Sequence, residues 1–177
     1  MKFYAPDERI PARLARNWGD LIVQQLTPLC ERVELAGSLR RGKELVGDID
    51  LVLLPRPYHA AACRLRIKQA TIVQKDGPQN LIVRLSNGVQ VDVFFARQPE
   101  TDLLGNETPG NFGSLLLCRT GSKEHNIFVA ERAKRRGWHW DPYQGLFNEA
   151  QKLVATGERE ILEALGLGWI EPSRRER

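Results

Sequence analysis

The first third of the chain contains a glycine turn, two closely spaced acids and an apolar run in immediate succession. The segment GSLRRG at 37–42 is followed by Gly47-Asp48-Ile49-Asp50 and by the apolar residues 51–54. In a β-strand, side chains two positions apart share a face, so Asp48 and Asp50 point one way while Ile49 points into the core. The segment therefore predicts a turn that leads into a buried strand with two carboxylates on one face.

The residue types in this segment suit the binding of a nucleotide together with a divalent metal. The hydroxyl of Ser38 and the planar guanidinium of Arg41 match phosphate oxygens. Two carboxylates that flank one core residue repel each other unless a cation lies between them. The simpler alternative is a polar turn before a buried strand, with solvated charges.

A third acid, Asp92, follows in the alternating segment VQVDVF at 89–94. The residues 81–85 and 89–95 flank Asn87-Gly88, which is typical of a type I′ hairpin. An edge-strand carboxylate that faces water is the alternative for this segment alone. If Asp92 instead meets Asp48 and Asp50, the three acids complete the carboxylate set of a two-metal site, in which the ions lie about 3.5–4 Å apart.

Length and composition are those of a small protein with enough apolar residues to bury a core. The chain has 177 residues and a formal charge of +4, which permits a polyanionic partner without requiring one. Cys30, Cys63 and Cys118 have neither zinc-site spacing nor the pattern of a disulfide framework. No apolar run approaches the roughly 20 residues of a membrane span, and the N-terminus lacks a signal-peptide core. We therefore expect no membrane association and a cytoplasmic or nucleoid-associated protein.

The coarse order of elements is an α+β pattern. A helix is predicted from Pro11 to Leu26, and a loop rich in Pro, Gly, Asn and Thr is predicted over 98–113. The remaining predictions are strands at 33–36, 48–54, 81–85 and 89–95, strand-like composition from Arg64 to Val73, helices at 112–118, 123–136 and 158–165, and a short Trp-rich hairpin before the last helix.

The segment GSLRRGKELVGDID at 37–50 resembles the nucleotidyltransferase signature of family X DNA polymerases, the group of DNA polymerase beta. The resemblance implies that Gly37, Ser38, Arg41 and Gly47 bind a nucleoside triphosphate. It also implies that Asp48, Asp50 and Asp92 hold two Mg²⁺ ions, with Mn²⁺ as an alternative, and that Asp92 accepts the proton of a primer 3′-hydroxyl.

A second segment, TGSKEHN at 120–126, is similar to the element that opens the family's thumb subdomain. On its own it predicts a helix start with Ser122 as N-cap. The resemblance adds nucleotide contacts from Gly121, Ser122, Lys123 and Asn126, while His125 is either a pocket residue or a packed imidazole. These residues follow Cys118 and Arg119, which stand where the family usually has an aromatic pair that helps to reject ribonucleotides.

The expected DNA contacts are fewer and less specific. Lys134, Arg135 and Arg136 end a predicted helix, where a solvated helix end is the alternative to a contact with the DNA backbone. Gln90 stands where animal members of the family have an arginine near the catalytic carboxylate. With His125, these residues complete the expected DNA-binding set.

The resemblance covers the chain from about Ile10 onwards and implies a nucleotidyltransferase palm with a mixed β-sheet at 1–105, followed by a small α/β thumb at 106–177. The implied activity is gap filling on nicked or short-gapped DNA by a monomer, with deoxynucleoside triphosphates as substrates and without lyase or phosphoesterase modules. One alternative is a template-independent terminal or RNA nucleotidyltransferase, and another is a non-catalytic module that binds DNA ends.

Overall fold

The computed structural model describes residues 2–6, 8–69 and 71–176. The chain divides into two compact units, Met1–Phe95 and Ala96–Arg177. The boundary predicted at 105/106 falls inside the second unit, in the loop that precedes its first helix.

The first unit contains one central sheet with helices on it. Its elements, in chain order, are β1 (Ile10–Pro11), α1 (Ala12–Leu26), β2 (Cys30–Leu35), α2 (Gly37–Arg40), β3 (Leu45–Val46), β4 (Ile49–Pro55), α3 (Ala60–Lys68), β5 (Thr71–Asp76), β6 (Asn80–Leu85) and β7 (Gln90–Phe95). A 3₁₀ turn at Thr27–Leu29 joins α1 to β2, and β1 pairs with β3 in a separate two-stranded ladder.

The central sheet has the strand order β2-β4-β7-β6-β5. Strands β4 and β7 are parallel, and the other neighbouring pairs are antiparallel, so the sheet is mixed. Residues two apart along the central strands are fully buried on one face: Leu51 and Leu53, Leu81 and Val83, Val91 and Val93. Asp50 and Asp92 belong to the opposite face, as the alternation of the sequence predicts.

Helix α1 confirms the prediction of a helix between Pro11 and Leu26. Pro11 precedes the first helical residue, where its missing N–H costs no intrahelical bond. Leu14, Trp18 and Ile22 recur at helical spacing and pack against the core of the first unit.

The strand-like structure predicted from Arg64 onwards is wrong for residues 64–68. Residues 60–68 form the helix α3, in which Cys63 and Ile67 are buried one turn apart, so the strand-like alternation of Arg64, Leu65 and Arg66 was misleading. The alternation failed as a signal because Leu65 lies on the exposed face of the helix.

The β6–β7 hairpin is confirmed, but its turn is not type I′. The N–H of Gly88 donates to the carbonyl of Leu85 at 2.9 Å. Gly88 has a φ of +87°, whereas Asn87 is not among the residues with positive φ, and a type I′ turn needs both. The side chain of Asn87 instead accepts the N–H of Val89 at 3.2 Å, which stabilises a wider turn.

The second unit packs three helices and a small sheet around its own core. Its elements are β8 (Glu100–Thr101), β9 (Glu107–Thr108), α4 (Phe112–Thr120), α5 (Lys123–Lys134), β10 (His139–Asp141), β11 (Gly145–Phe147), β12 (Leu153–Ala155) and α6 (Glu158–Ala164). Trp140 is a core residue and donates its indole N–H to Ser114 Oγ at 3.0 Å.

The predicted α+β class is confirmed for the chain, whose two units both contain helices and β-sheets. Over the described residues, no helix has the length and apolarity needed to cross a bilayer.

Candidate active site

Three acids meet at one end of the central sheet of the first unit. Asp50 in β4 lies directly opposite Asp92 in the parallel strand β7, and Asp48 precedes β4 by one residue. One carboxylate oxygen from each of the three lies within 4.8 Å of the others, and all three residues are half-buried. The parallel register is therefore what joins the third acid to the first two.

The glycine turn that opens α2 packs directly on one of these acids. A Cβ on residue 37 would lie 1.8 Å from Asp50 Oδ2, and Gly37 has a φ of +54°. The N–H of Ala36 donates to the carbonyl of Asp50 at 2.8 Å, which fixes the turn to β4. Only glycine fits this position, so the turn and the carboxylate form one site.

Burial of the Asp48 carboxyl raises its pKa above the ordinary value of 3.8, while the positive charges of Arg9 and Arg41 act in the opposite direction. Burial outweighs the two arginines because a half-buried carboxylate loses part of its hydration. An additional positive charge at this position would favour the ionised form of Asp48.

Arg9 is a site residue that the sequence did not reveal. The two-residue ladder between β1 and β3 brings the N-terminal segment beside Gly47. Arg9 Nη1 lies 3.3 Å from the position that a Cβ on Gly47 would take. No pattern in the sequence identifies a pairing this short, because two residues carry neither a strand period nor a turn signal.

Gln90, predicted to contact DNA, makes a hydrogen bond within the acidic site. Its Nε2 donates to Asp92 Oδ1 at 2.9 Å. Gln90 also borders a cleft of about 210 Å³ in the first unit, together with Arg9, Gly47, Asp48 and Arg84. Asp48 therefore lies at the border of a cleft in the first unit.

The geometry of the three acids fits divalent metal ions. Carboxylate oxygens are the ligands that Mg²⁺ and Mn²⁺ prefer, and Mg²⁺ in nucleotide sites is held by one or two carboxylates together with phosphate oxygens. Gly37 packs closely on Asp50, and Asp48 is half-buried with a pKa that burial raises, so the three acids form a preformed acidic cradle. Asp48, Asp50 and Asp92 are therefore the residues that could hold such ions.

In the second unit, the predicted N-cap at Ser122 is confirmed. Ser122 Oγ accepts the N–H of His125 at 3.3 Å, and α5 begins at Lys123. The N–H of Ser122 donates to the carbonyl of Arg175 at 3.2 Å. Arg175 is fully buried and forms an ion pair with Glu158 at 2.6 Å, so a segment near the C-terminus holds the turn that begins at Gly121.

Two other predicted nucleotide contacts of this unit are engaged with their own neighbours. Asn126 donates its side-chain N–H to the carbonyl of Cys118 at 2.7 Å, which joins α5 to α4. Arg119 donates to the hydroxyl of Tyr143 at 2.8 Å. Burial raises the pKa of the Cys118 thiol, so this side chain is a neutral group beside Asn126.

The expected DNA contacts of the second unit differ in their surroundings. His125 is fully buried and its ring lies 6.4 Å from that of Phe128, so its imidazole is packed in the second unit. Lys123 and Lys134 are exposed. Arg135 pairs with Glu131 at 3.7 Å, and Arg136 lies 5.6 Å from the centre of the Trp138 ring.

Comparison with known proteins finds similarity to DNA polymerases. The family model described as DNA polymerase beta thumb matches residues 115–176. The DNA polymerase/3′-5′ exonuclease PolX of Bacillus subtilis (strain 168) is 29% identical over 173 residues, which are 96% of this chain and 29% of that protein. The chain is thus similar in sequence to a family X DNA polymerase, PolX, and to the thumb of DNA polymerase beta.

Solved structures extend the likeness in fold to nearly the whole chain. The ternary P/T complex of Leishmania infantum polymerase beta matches 97% of the chain and 78% of its own, with a TM-score of 0.75 and 16% identity. The ternary gap complex of the same polymerase gives a TM-score of 0.76 over 97% of this chain and 72% of its own. The chain thus spans less than a third of the length of PolX, and about three quarters of the polymerase beta chains.

Proposed function

We propose that this chain adds deoxynucleotides to a primer 3′ end in nicked or short-gapped DNA, as a monomer. The observation that carries the proposal is the meeting of Asp48, Asp50 and Asp92 within 4.8 Å, against a glycine turn that fits Asp50. The likeness to PolX and to polymerase beta supports polymerase-type chemistry over other uses of an acidic site.

In this proposal the three acids hold two Mg²⁺ ions, with Mn²⁺ as an alternative. When bound, such ions neutralise phosphate charge and stabilise the attacking and leaving oxygens of an in-line displacement. Asp92 accepts the proton of the primer 3′-hydroxyl. Asp48 and Asp50 orient the site, and Asp50 is itself fixed by its contact with the turn at Gly37.

The triphosphate is bound by the groups beside the acids. Ser38 and Arg41 lie on or just after the short helix α2, whose first residue is Gly37. Arg9 is added to this set because it lies against Gly47 and its charge acts on Asp48. Guanidinium groups bind phosphate through paired N–H donors, and a neighbouring positive charge also favours ionised Asp48.

For the second unit we propose a role in nucleotide and DNA binding. The residues proposed for nucleotide contact are Cys118, Arg119, Gly121, Ser122, Lys123 and Asn126. Lys134, at the exposed end of α5, is the best-placed candidate for the DNA backbone, whereas Arg135 and Arg136 have local partners. Phosphate contacts of this kind make DNA affinity depend strongly on salt.

Primer extension tests the proposal and separates it from its alternatives. The purified chain is given a labelled primer on gapped DNA, each of the four deoxynucleotides in turn, and Mg²⁺. We expect addition of the nucleotide complementary to the template base and little addition to the same primer alone. Equal addition without a template would instead indicate a terminal or RNA nucleotidyltransferase, and DNA binding without addition would indicate a DNA-end-binding module.

A further inference from the structure

A chain of three side chains leads from the β6–β7 hairpin to the acidic site. Arg84 in β6 lies directly opposite Gln90 in β7, and Gln90 lies two residues before Asp92 on the same strand. Gln90 Nε2 donates to Asp92 Oδ1 at 2.9 Å, and Arg84 Nη2 donates to Gln90 Oε1 at 3.4 Å. We infer that Gln90, oriented by Arg84, is a positioning residue that sets the carboxylate of Asp92 for metal binding.

The two neighbours of Gln90 select one orientation of its amide. A carboxylate oxygen accepts and cannot donate, so it requires the NH₂ end of the amide. A guanidinium donates and cannot accept, so it requires the carbonyl end. Flipping the amide would place acceptor against acceptor at Asp92 and donor against donor at Arg84. The orientation in the structure satisfies both partners at once.

A fixed amide in turn fixes the carboxylate. The side chain of Asp92 can rotate about its last bond, and the hydrogen bond to Oδ1 determines where both of its oxygens point. Hydrogen bonds to metal-ligating carboxylates commonly act in this way, and their loss costs metal affinity or activity. Since Asp50 lies directly across from Asp92, rotation of the Asp92 carboxylate would change the distances within the acidic cradle.

Arg84 is itself held in place, which makes it a suitable anchor. Its Nη1 donates to the carbonyl of Gly88 at 2.9 Å. The turn at Gly88 is packed against the N-terminal segment, because a Cβ on Gly88 would lie 2.2 Å from the carbonyl oxygen of Tyr4. The N–H of Tyr4 also donates to the carbonyl of Asn87 at 2.8 Å. The hairpin turn and the N-terminal segment therefore restrain the arginine that orients Gln90.

The inference rests on the proposed nucleotidyl transfer for its kinetic part, but metal binding tests it separately. Mn²⁺ affinity is measured by electron paramagnetic resonance on the whole chain, without DNA or nucleotide. The variants are Gln90→Met, which keeps the length but cannot donate, Arg84→Met, and the double variant. Gln74→Met, on the exposed edge strand β5, is the matched control. Thermal unfolding of each variant establishes that it is folded, and Gln90→Ala replaces Gln90→Met if the latter is not.

We expect Gln90→Met to weaken Mn²⁺ binding by roughly tenfold or more relative to Gln74→Met. Single-turnover incorporation should slow by roughly 10–100-fold, while the nucleotide concentration at half-maximal rate changes by no more than about twofold. Arg84→Met should have a smaller effect, and it should add little in the Gln90→Met background because both act through the same bond.

Two results would overturn the inference. One is a Gln90→Met variant whose Mn²⁺ affinity equals that of Gln74→Met. The other is an Arg84→Met substitution that weakens Mn²⁺ binding as much in the Gln90→Met background as it does alone. A wild-type chain that binds Mn²⁺ in this Gln90-dependent way, yet adds no nucleotide, would support the positioning role while contradicting the proposed function.

Discussion

The backbone of Gly37 lies so close to Asp50 that a Cβ at residue 37 would come within 1.8 Å of Asp50 Oδ2. This contact joins the turn that is proposed to bind phosphate to an acid that is proposed to bind metal. Any side chain at residue 37 must displace either the turn or the carboxylate. The two parts of the candidate site therefore depend on each other.

Gly37→Ala should weaken metal binding at the acidic site, in addition to the loss of stability that its backbone conformation causes. A left-handed φ costs an alanine about 1–2 kcal/mol, and the clash with Asp50 adds to that. Gly42→Ala is the matched control, because Gly42 has a φ of +77° and nothing within 4 Å of its Cβ position. We expect both variants to lose stability in urea unfolding, and only Gly37→Ala to lose Mn²⁺ binding. Equal Mn²⁺ affinity in the two variants would contradict the contact.

Asp48→Asn should stabilise the metal-free protein at neutral pH and abolish its stabilisation by metal. Burial raises the pKa of Asp48, so folding favours the protonated form. That contribution is fully present below the ordinary pKa of 3.8 and is lost as the pH rises through the raised value. Thermal unfolding at pH 7 with EDTA should give a higher midpoint for Asp48→Asn than for wild type.

The control for Asp48→Asn is Asp20→Asn, on the exposed side of α1. Its unfolding midpoint should stay within about a degree or two of wild type, as for a surface substitution. Added Mg²⁺ should raise the midpoint of wild type and Asp20→Asn but not that of Asp48→Asn. A lower midpoint for Asp48→Asn than for wild type in EDTA would be inconsistent with a penalty for burying this carboxylate.

Glu158→Gln should destabilise the second unit strongly through Arg175. Arg175 is fully buried and its ion pair with Glu158 is almost entirely removed from solvent. Removal of one partner of such a pair leaves an uncompensated charge and costs about 3–5 kcal/mol. Glu163→Gln is the control, because its i,i+4 pair with Arg159 is solvent-exposed and is worth less than about 1 kcal/mol. Similar unfolding free energies for the two variants would contradict the anchoring of the turn at Ser122.

Arg41→Ala should weaken nucleotide binding more than DNA binding. Loss of a charge-assisted hydrogen bond costs about 1.5–3 kcal/mol, which corresponds to roughly a 10–100-fold weaker nucleotide affinity. Arg40→Ala changes the net charge by the same amount one residue earlier and should spare nucleotide affinity. Fluorescence titrations with nucleotide and with gapped DNA provide the comparison, and an equal loss of both affinities in Arg41→Ala would argue against a triphosphate contact.

The sequence predicted those parts of the site that lie within one strand or one turn. The spacing of Asp48 and Asp50 predicted their common face, and the alternation around Asp92 predicted a strand, since both follow from the two-residue period. The order of strands in the sheet was not predictable from these patterns. The approach of Asp92 to Asp50 depends on the parallel pairing of β4 with β7, which are separated in sequence by α3, β5 and β6.

The features that the sequence did not reveal depend on contacts between distant or very short segments. Arg9 reaches the site through a two-residue ladder, and the Arg84–Gln90–Asp92 chain depends on cross-strand register. Buried His125 was left open between two alternatives because local pattern does not determine which face of a helix is covered. The helix at 60–68 was misread because charged and apolar residues alternate there, although Cys63 and Ile67 have helical spacing.

The most direct test of the account is the rate of single-nucleotide incorporation by wild type and by Asp92→Asn. Both are measured under single-turnover conditions on a one-nucleotide gap with Mg²⁺, after unfolding curves show that both are folded. The account predicts template-directed incorporation by wild type and a loss of at least about 10³-fold in Asp92→Asn, of the size seen when a positioned proton acceptor and charge-stabilising group is removed. Incorporation by Asp92→Asn at the wild-type rate would contradict it.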